Sequence, residues 1–503
     1  MEKIKNIAKD KDLHFALIVS FILGLLAHAY AFFNIIFSHD SLIMFQNDVK
    51  FQMGIGRFLH WFIFQFRGNY YVPWLVGFIG IAFIAFTAYL VFKIFDIKEN
   101  WQKILIVGIL CVNRVVIKTI EVYIHDFDIY MIALFFSALG AYILIKNNGN
   151  FLKQSLSVIP FFISLGLYPA FIQFGIGILM MYIIMDLLKN KEELNVVLKR
   201  GFTYVFYILM GLVLYFIGTK VSVRLFNIEM SDGYNSIGNL KELNSISRAL
   251  HALKITYISM FEFYLRVHTF NRVLTIILNV ILVFSGIYFG IMLIKKKKLN
   301  FKSILTLILV IALLPLGLNL SCFLSSGMAH LLMLYALVLV YVLYILLMDM
   351  YFKEVKKDET KISNAFKTFL LILSFIVIFN NIVYSNQMHY NKELEFRKTT
   401  NLFNRIITRI EQVDGYEKGK TQVYFLNGAL LSNEEQYGKL SVTYQATYEW
   451  FIRGAMAYNM HVSLNGLNEL SKEELDYVKT MSVYPKKDSI KYKNGKILVK
   501  LSN

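Results

Sequence analysis

The sequence predicts a mainly α-helical, polytopic membrane protein that ends in a small α/β domain outside the membrane. Three observations predict it. Hydrophobic residues make up 57% of the 503 against 17% charged, and the mean hydropathy is +0.53. Apolar runs of near twenty residues, enough to cross about 30 Å of hydrocarbon as helix, recur up to about residue 386. Beyond that point the pattern changes to the alternating and amphipathic spacing of a water-soluble fold.

Candidate spans are 14–37, 73–95, 104–122, 129–146, 154–168, 170–188, 202–226, 272–294, 303–320, 328–350 and 365–385, eleven in all. The fifth, SLSVIPFFISLGLYP, is short, holds Pro160 and ends at Pro169, so it reads as a broken or partial span. The opening MEKIKNIAKDKD is basic, and no small-residue cleavage site comes after its apolar run, so it reads as a retained first helix. Loop charge tests the count. KIFDIKENWQK, IKNNGNFLK, KNKEELNVVLKR, KKKKLNFK and FKEVKKDETK are all lysine-rich, and even numbers of crossings separate them. By the positive-inside rule they face the cytoplasm with the N-terminus, and 38–72, 123–128, 227–271 and 321–327 face outward with everything after the last span.

The formal charge of +18 therefore reads as topology, and nucleic acid is not an expected partner. Cys111 and Cys322 both sit in or beside apolar segments, which leaves no disulfide framework and no thiolate metal cluster. Residues 1–386 form the membrane domain and 387–503 the outer domain. In the latter, FRKTTNLFNRIITRIEQV has helical spacing and TQVYFLNG reads as a strand. TYQATYEWFIRGAMAYNM and SKEELDYVKTM read as helices, the second with Ser471 as N-cap and Glu474 in the capping-box position. IKYKNGKILVKL is a hairpin turning at Asn494-Gly495.

Ionisable residues near membrane depth carry the chemical information. Asp40 comes three residues after the first span, with Asp48 and Arg57 further along 38–72. That segment is too apolar for an open loop and reads as helices lying in the outer interface, with Trp61, Tyr70, Tyr71 and Trp74 as interfacial aromatics. Its charges also read as markers of the water boundary. A second acidic group, Glu121, His125, Asp126 and Asp128, lies between the third and fourth spans, with Lys118 and Arg114 one and two turns before it. The His-Asp-x-Asp spacing suits a divalent ion such as Mg²⁺ or Mn²⁺, and equally a plain short loop. Arg224, Arg248, Arg266, His268 and Arg272 surround the long outer loop, and His330 opens the tenth span. Guanidinium groups there suit a phosphate, and equally lipid head groups. Acids near a basic phosphate site, all outside, fit glycosyl transfer from a lipid phosphate: an aspartate takes the acceptor proton, and arginine or a metal stabilises the departing phosphate.

Several segments resemble the bacterial GtrII-type glucosyltransferases, a branch of the GT-C membrane glycosyltransferases. They are SHDSL…GIGRF after the first span, SLGLYPAF at 164–171, MAHLLMLY at 328–335, NQMHYNKELEFRKTTNLFNRIITRIE, and MSVYP…IKYKNGKILVKL at the end. Phe58 and Pro169 stand where the family usually has Trp and Gln. The resemblance implies a GT-C-like fold and a polyprenyl-phosphate-linked sugar as donor. It implies a surface glycan as acceptor: O-antigen, teichoic acid or another wall polysaccharide. A polyprenyl-phosphate sugar synthase and a flippase would supply the donor. The resemblance also implies a catalytic acid just after the first span, which points to Asp40 with Asp48 as its competitor, and a second acidic group at Asp126 and Asp128. Metal use varies in the superfamily. The rival readings are a polysaccharide polymerase or ligase using lipid-linked donors, and a lipid-linked glycan flippase or other transporter. Transporters tend to show internal repeats and charges deep in several spans, whereas here the charges gather at outer ends.

Overall fold

The computed structural model describes residues 9–36, 49–68, 72–190, 194–230, 245–267, 271–328, 330–355, 361–426, 460–462 and 466–501. They belong to two compact units, one of residues 1–34 and 47–386, the other of residues 35–46 and 387–503.

Every regular element among the first unit's described residues is a helix. Helix α1 (Lys11–Phe33) starts where the Asp10 carboxylate accepts from the Asp12 amide, an N-cap. Two short helices, α2 (Val49–Gly54) and α3 (His60–Arg67), lead to α4 (Pro73–Phe95), which opens on a proline whose missing N–H costs nothing there. Helices α5 (Asn100–Cys111) and α6 (Arg114–Tyr123) come next, then a 3₁₀ turn at Ile124–Asp126 and α7 (Phe127–Lys146). After them lie α8 (Phe151–Ser155), α9 (Val158–Leu167), a 3₁₀ turn at Pro169–Phe171, α10 (Ile172–Asn190) and α11 (Leu194–Leu225). The remainder is α12 (Ile246–Leu265), α13 (Arg272–Lys297), α14 (Phe301–Leu318), α15 (Leu320–Leu324), a 3₁₀ stretch at Leu331–Val338, α16 (Leu339–Val355) and α17 (Lys361–Glu411).

Among the described residues nine helices are long and apolar enough to cross a membrane. The expected eleven segments depart from this count at two places. Segments 104–122 and 129–146 fall within one 47-residue run, Asn100–Lys146, and segment 154–168 falls in the shorter apolar stretch Phe151–Leu167. A straight helix of that first length would reach about 70 Å, more than twice the hydrocarbon thickness. It is divided instead, at Val112–Asn113 and at the 3₁₀ turn.

The break at Val112–Asn113 is buried, so its backbone groups need partners. They find them. The Asn113 carboxamide accepts from the Val115 and Val116 amides and donates to the Ile109 and Leu110 carbonyls. The Tyr335 hydroxyl also donates to the Leu110 carbonyl, His28 Nε2 to that of Cys111, and the Asn381 amide to that of Val112. Close packing beside it rests on small residues. A Cβ at Gly80 of α4 would lie 2.4 Å from the Phe127 ring of α7, and one at Gly77 would lie 2.5 Å from the Phe32 ring of α1.

In the second unit a four-stranded sheet has the order β2-β1-β4-β3. Strand β1 (Gln422–Leu426) is parallel to β2 (His461–Val462) and to β4 (Lys496–Lys500), which pairs antiparallel with β3 (Ile490–Lys493). Asn494 and Gly495 both take positive φ at the hairpin, as a tight two-residue turn demands. One face packs Val423, Phe425, Ile497 and Val499 against Phe403, Ile406 and Ile410 of α17. The other packs Tyr424, Leu426 and Leu498 against Leu470, Val478 and Met481. Helix α18 (Lys472–Thr480) begins at the expected capping box, in which the Glu474 amide donates to Ser471 Oγ and the Ser471 amide to Glu474 Oε2.

Candidate active site

The site begins with a turn. Gly56 has φ +91°, a conformation in which a side chain is strained, and it closes α2 so that the Arg57 amide donates back to the Gln52 carbonyl. The Arg57 guanidinium then lies over the Tyr168 ring, 4.5 Å from its centroid, and donates from Nη1 to Gln52 Oε1 at 3.0 Å. Among the described residues that is its one hydrogen bond. Burial works against its charge, while Tyr168, Tyr130 and Asp126 hold its pKa above the ordinary value.

Three residues on, His60 opens α3, and its Nε2 donates to the Leu167 carbonyl at 2.9 Å. The Leu59 amide donates to the Gly166 carbonyl beside it, so α3 is tied to the end of α9. This contact fixes the tautomer and turns Nδ1 toward Asp126 Oδ2, 4.0 Å away. Burial pushes the imidazole down to about 4, with Asp126 opposing. Two turns later Arg67 lies on the same face of α3. Its Nη1 donates to the His125 carbonyl at 2.6 Å, its Nε is 3.3 Å from Asp128 Oδ2, and its Nη2 is 3.8 Å from Asp126 Oδ1. Asp126 ends the 3₁₀ turn and Asp128 lies in the first turn of α7, where the helix dipole favours carboxylates. His125 Nε2 is 3.7 Å from Asp126 Oδ2. Tyr130 packs on Tyr168 with ring centroids 4.8 Å apart, closing the wall behind Arg57.

The cluster is buried, with Asp126 and Asp128 side chains only 3% and 1% exposed, and its pairing is incomplete. Asp126 Oδ1, Arg67 Nε and Nη2, and His60 Nδ1 have no hydrogen-bond partner among the described residues. Stranded donors and acceptors side by side in a buried place are rare in proteins, and they are what a ligand with hydroxyl groups satisfies.

Beside Arg57 an apolar groove opens. Ile55, Leu165, Pro169 and Tyr215 line it at this end, and the section they border holds about 400 Å³. A second section of about 430 Å³ shares Ile176, Ile208 and Leu320 with the first and continues it between α10, α11 and α14.

The sequence-expected residues divide. Arg57, His125, Asp126 and Asp128 converge. Asp40, Asp48 and His268 lie outside the described residues. Lys118 pairs with the buried Glu121 at 2.9 Å. Arg114 donates to the Phe263 and Arg266 carbonyls and covers the Phe263 ring, so its guanidinium is spent on α12. Arg266 is exposed and pairs with Glu262 on its own helix, and Arg224, Arg272 and His330 are exposed. These cations are not drawn into the Arg57–Asp126 cluster. As to a metal, no group of three or more His, Cys, Asp or Glu side chains among the described residues is arranged to hold one, and Arg67 lies between the two aspartates instead. Sequence reasoning missed Arg67, His60, Tyr130 and Tyr168. The signal was there in HWFIFQFR, whose two ionisable residues stand seven apart on one face of an apolar helix.

A family profile described as Glucosyl transferase GtrII matches residues 29–343, more than half of the chain. It covers every element of the cluster and both sections of the groove. No curated protein and no solved structure gives a significant match. The chain belongs to the GtrII glucosyl transferase family.

Proposed function

We infer from family membership, and from the nine spanning-length helices among the described residues, that this is a membrane glucosyltransferase. We propose that its donor is a polyprenyl-phosphate-linked hexose, glucose first among them, and its acceptor a surface glycan such as O-antigen, teichoic acid or wall polysaccharide on the outer leaflet. The observation that carries this reading is the cation–aromatic pair Arg57–Tyr168 beside the half-satisfied Asp126–Arg67–His60 cluster. Arg57 supplies open N–H donors for a phosphate, and the cluster supplies an acceptor and donors for sugar hydroxyls, each of which both gives and takes a hydrogen bond.

The reaction breaks the bond between C1 and the phosphate oxygen, which keeps the electron pair. The acceptor oxygen forms the new bond to C1 and passes its proton to a carboxylate. Asp40 takes that proton, with Asp48 the competitor, as the resemblance to the family implies for an acid just after the first span. Arg57 offsets the charge on the departing phosphate, and Asp126 and Arg67 orient the sugar. The protein works in the bacterial cytoplasmic membrane as a multi-pass chain, with its N-terminus inside and residues 387–503 outside. A polyprenyl-phosphate sugar synthase and a flippase deliver its donor.

The test uses membranes containing the full chain, a radiolabelled polyprenyl-phosphate glucose and cell-envelope glycan. Asp40→Asn is expected to lose transfer while the protein remains in the membrane at normal amount. Full activity in both Asp40→Asn and Asp48→Asn would overturn the base assignment. Movement of the lipid across proteoliposomes without a new glycosidic bond would overturn the enzyme reading in favour of transport.

A further inference from the structure

We propose that the groove between α10, α11 and α14 is the seat of the donor's polyisoprenoid tail, entered sideways from the bilayer, and that its far section reads tail length. This rests on the lipid-phosphate donor proposed for the site. Four observations carry it.

The groove is continuous with the site. Ile55 stands two residues before Arg57, Pro169 comes directly after the Tyr168 on which Arg57 lies, and Tyr215 stacks on Phe58 at 6.1 Å. A phosphate held by Arg57 is therefore at the mouth of the groove, and the tail that hangs from the phosphate enters it. Polar lining is sparse: Tyr215, Gln173, Ser321 and Ser325 in the first section, and Tyr204 and Thr306 in the far one. Gln173 bridges the Met333 carbonyl and the Ser321 amide, and Thr306 in the far section donates to the Lys302 carbonyl. The rest of the lining is predominantly branched and unbranched hydrocarbon, which suits a polyisoprenoid and offers little to a polar ligand.

The third observation is length. From Ile172 to Ile183, both on α10 and both lining residues, the helix rises about 16 Å, over half the hydrocarbon thickness. That is a path for a chain rather than a socket for a head group. The fourth is access. Leu209, Val205, Phe202, Leu309 and Leu313 line the groove and are 45–72% exposed, so the groove faces where lipid would be. Arg57 at its mouth matches one phosphate on a single-tailed lipid.

Gly201 makes the idea testable. It lines the far section, about 21 Å along α11 from Tyr215, and a Cβ added there meets nothing within 4 Å. Gly201→Leu thus adds a branched side chain at the groove wall from a Cβ that meets no neighbour, and in a helix interior it removes a glycine rather than adding strain. Transfer is measured with two glucosyl polyprenyl phosphates, one with a long tail and one of two or three isoprene units. Gly201→Leu is expected to raise KM for the long-tailed donor at least tenfold more than for the short one. An equal change for both overturns the proposal.

The second measurement needs no sugar transfer. A long-tailed polyisoprenyl phosphate with a diazirine at its far end is added to the full protein in vesicles of phosphatidylethanolamine and phosphatidylglycerol. Labelling within 197–205 or 306–317 supports the proposal, and labelling elsewhere, or its loss when the vesicle phospholipid is raised tenfold, overturns it. Should the wild type transfer sugar from neither donor while this labelling persists, the donor reading fails and the tail seat stands as a lipid-phosphate site.

Discussion

Two clusters of acids and cations occupy opposite stretches of α4, and they are built to different standards. Toward its last turn, Lys93 pairs with Asp10 at 2.9 Å and Asp12 at 2.8 Å, Lys103 pairs with Asp12 at 2.8 Å, and the Tyr89 hydroxyl donates to Asp10. Toward its first half, where Phe127 meets Gly80, Asp126 and Asp128 face Arg67 and His60 at 3.3–4.0 Å. The first cluster is a quarter exposed at its acids and well matched. The second is buried and, among the described residues, has four stranded polar atoms. Short, complete pairs at one end of α4 show that this chain can build them where it needs only to anchor helices. Its failure to do so around Asp126 marks a place held open for something else, at a cost in stability.

The largest effect should come from breaking the open cluster. Asp126→Asn is expected to lower sugar transfer by roughly 10²–10³-fold, the scale of losing a positioned charged group, while thermal stability holds, because Arg67 keeps its nearer partner Asp128 at 3.3 Å and the orphaned Asp126 Oδ1 loses its charge. A clear fall in melting temperature, read by fluorescence in detergent alongside the radiolabel assay, would make the two clusters equivalent and erase the contrast.

The matched cluster should answer in the opposite sense. Asp12→Asn strands Lys103 and half of Lys93, and at about a quarter exposure the loss should be around 1–2 kcal/mol of stability. Turnover per folded molecule is expected to stay within about twofold. Loss of turnover at full stability would show that this end also serves the reaction.

The smallest effect concerns pH. His60 is held neutral, with its pKa down at about 4 against an ordinary 6.5. Its folded pKa is depressed, so the stability it contributes is present above about 6.5 and is lost as pH falls toward 4. His60→Gln should flatten the stability of the protein across pH 4–6.5, measured by melting temperature in buffers of constant ionic strength. An unchanged slope would show that the imidazole charges freely and that its setting is less closed than its burial indicates.

The parts of this molecule legible in the sequence are those whose cause is local. The Asn494-Gly495 hairpin, the Ser471–Glu474 box and the strand at Gln422–Leu426 each arise from a few adjacent residues, and the long spans arise from apolar length. The acids at 126 and 128 were visible as residue types. Their partners were not, because Arg67 reaches them only after α3 is tied to the end of α9, a contact between residues about one hundred apart. In the sequence Arg67 looks like any cation at the end of an interfacial helix. The exposed Arg224, Arg266 and Arg272 looked equally suitable, since charge alone does not reveal which guanidinium the packing turns inward.

The fully partnered break at Asn113 has a mechanical consequence. With the carbonyls from 109 to 112 occupied, it is a fixed elbow rather than a pivot, and α6 leaves it in one direction. The stretch from Asn113 to His125 acts as a dial, since each added residue of helix rotates the chain beyond it by about 100°. One residue inserted into α6 would leave the elbow and the long apolar runs intact, yet swing both aspartates away from Arg67. The chemistry at 126 is thereby clocked from a single carboxamide about three and a half turns upstream.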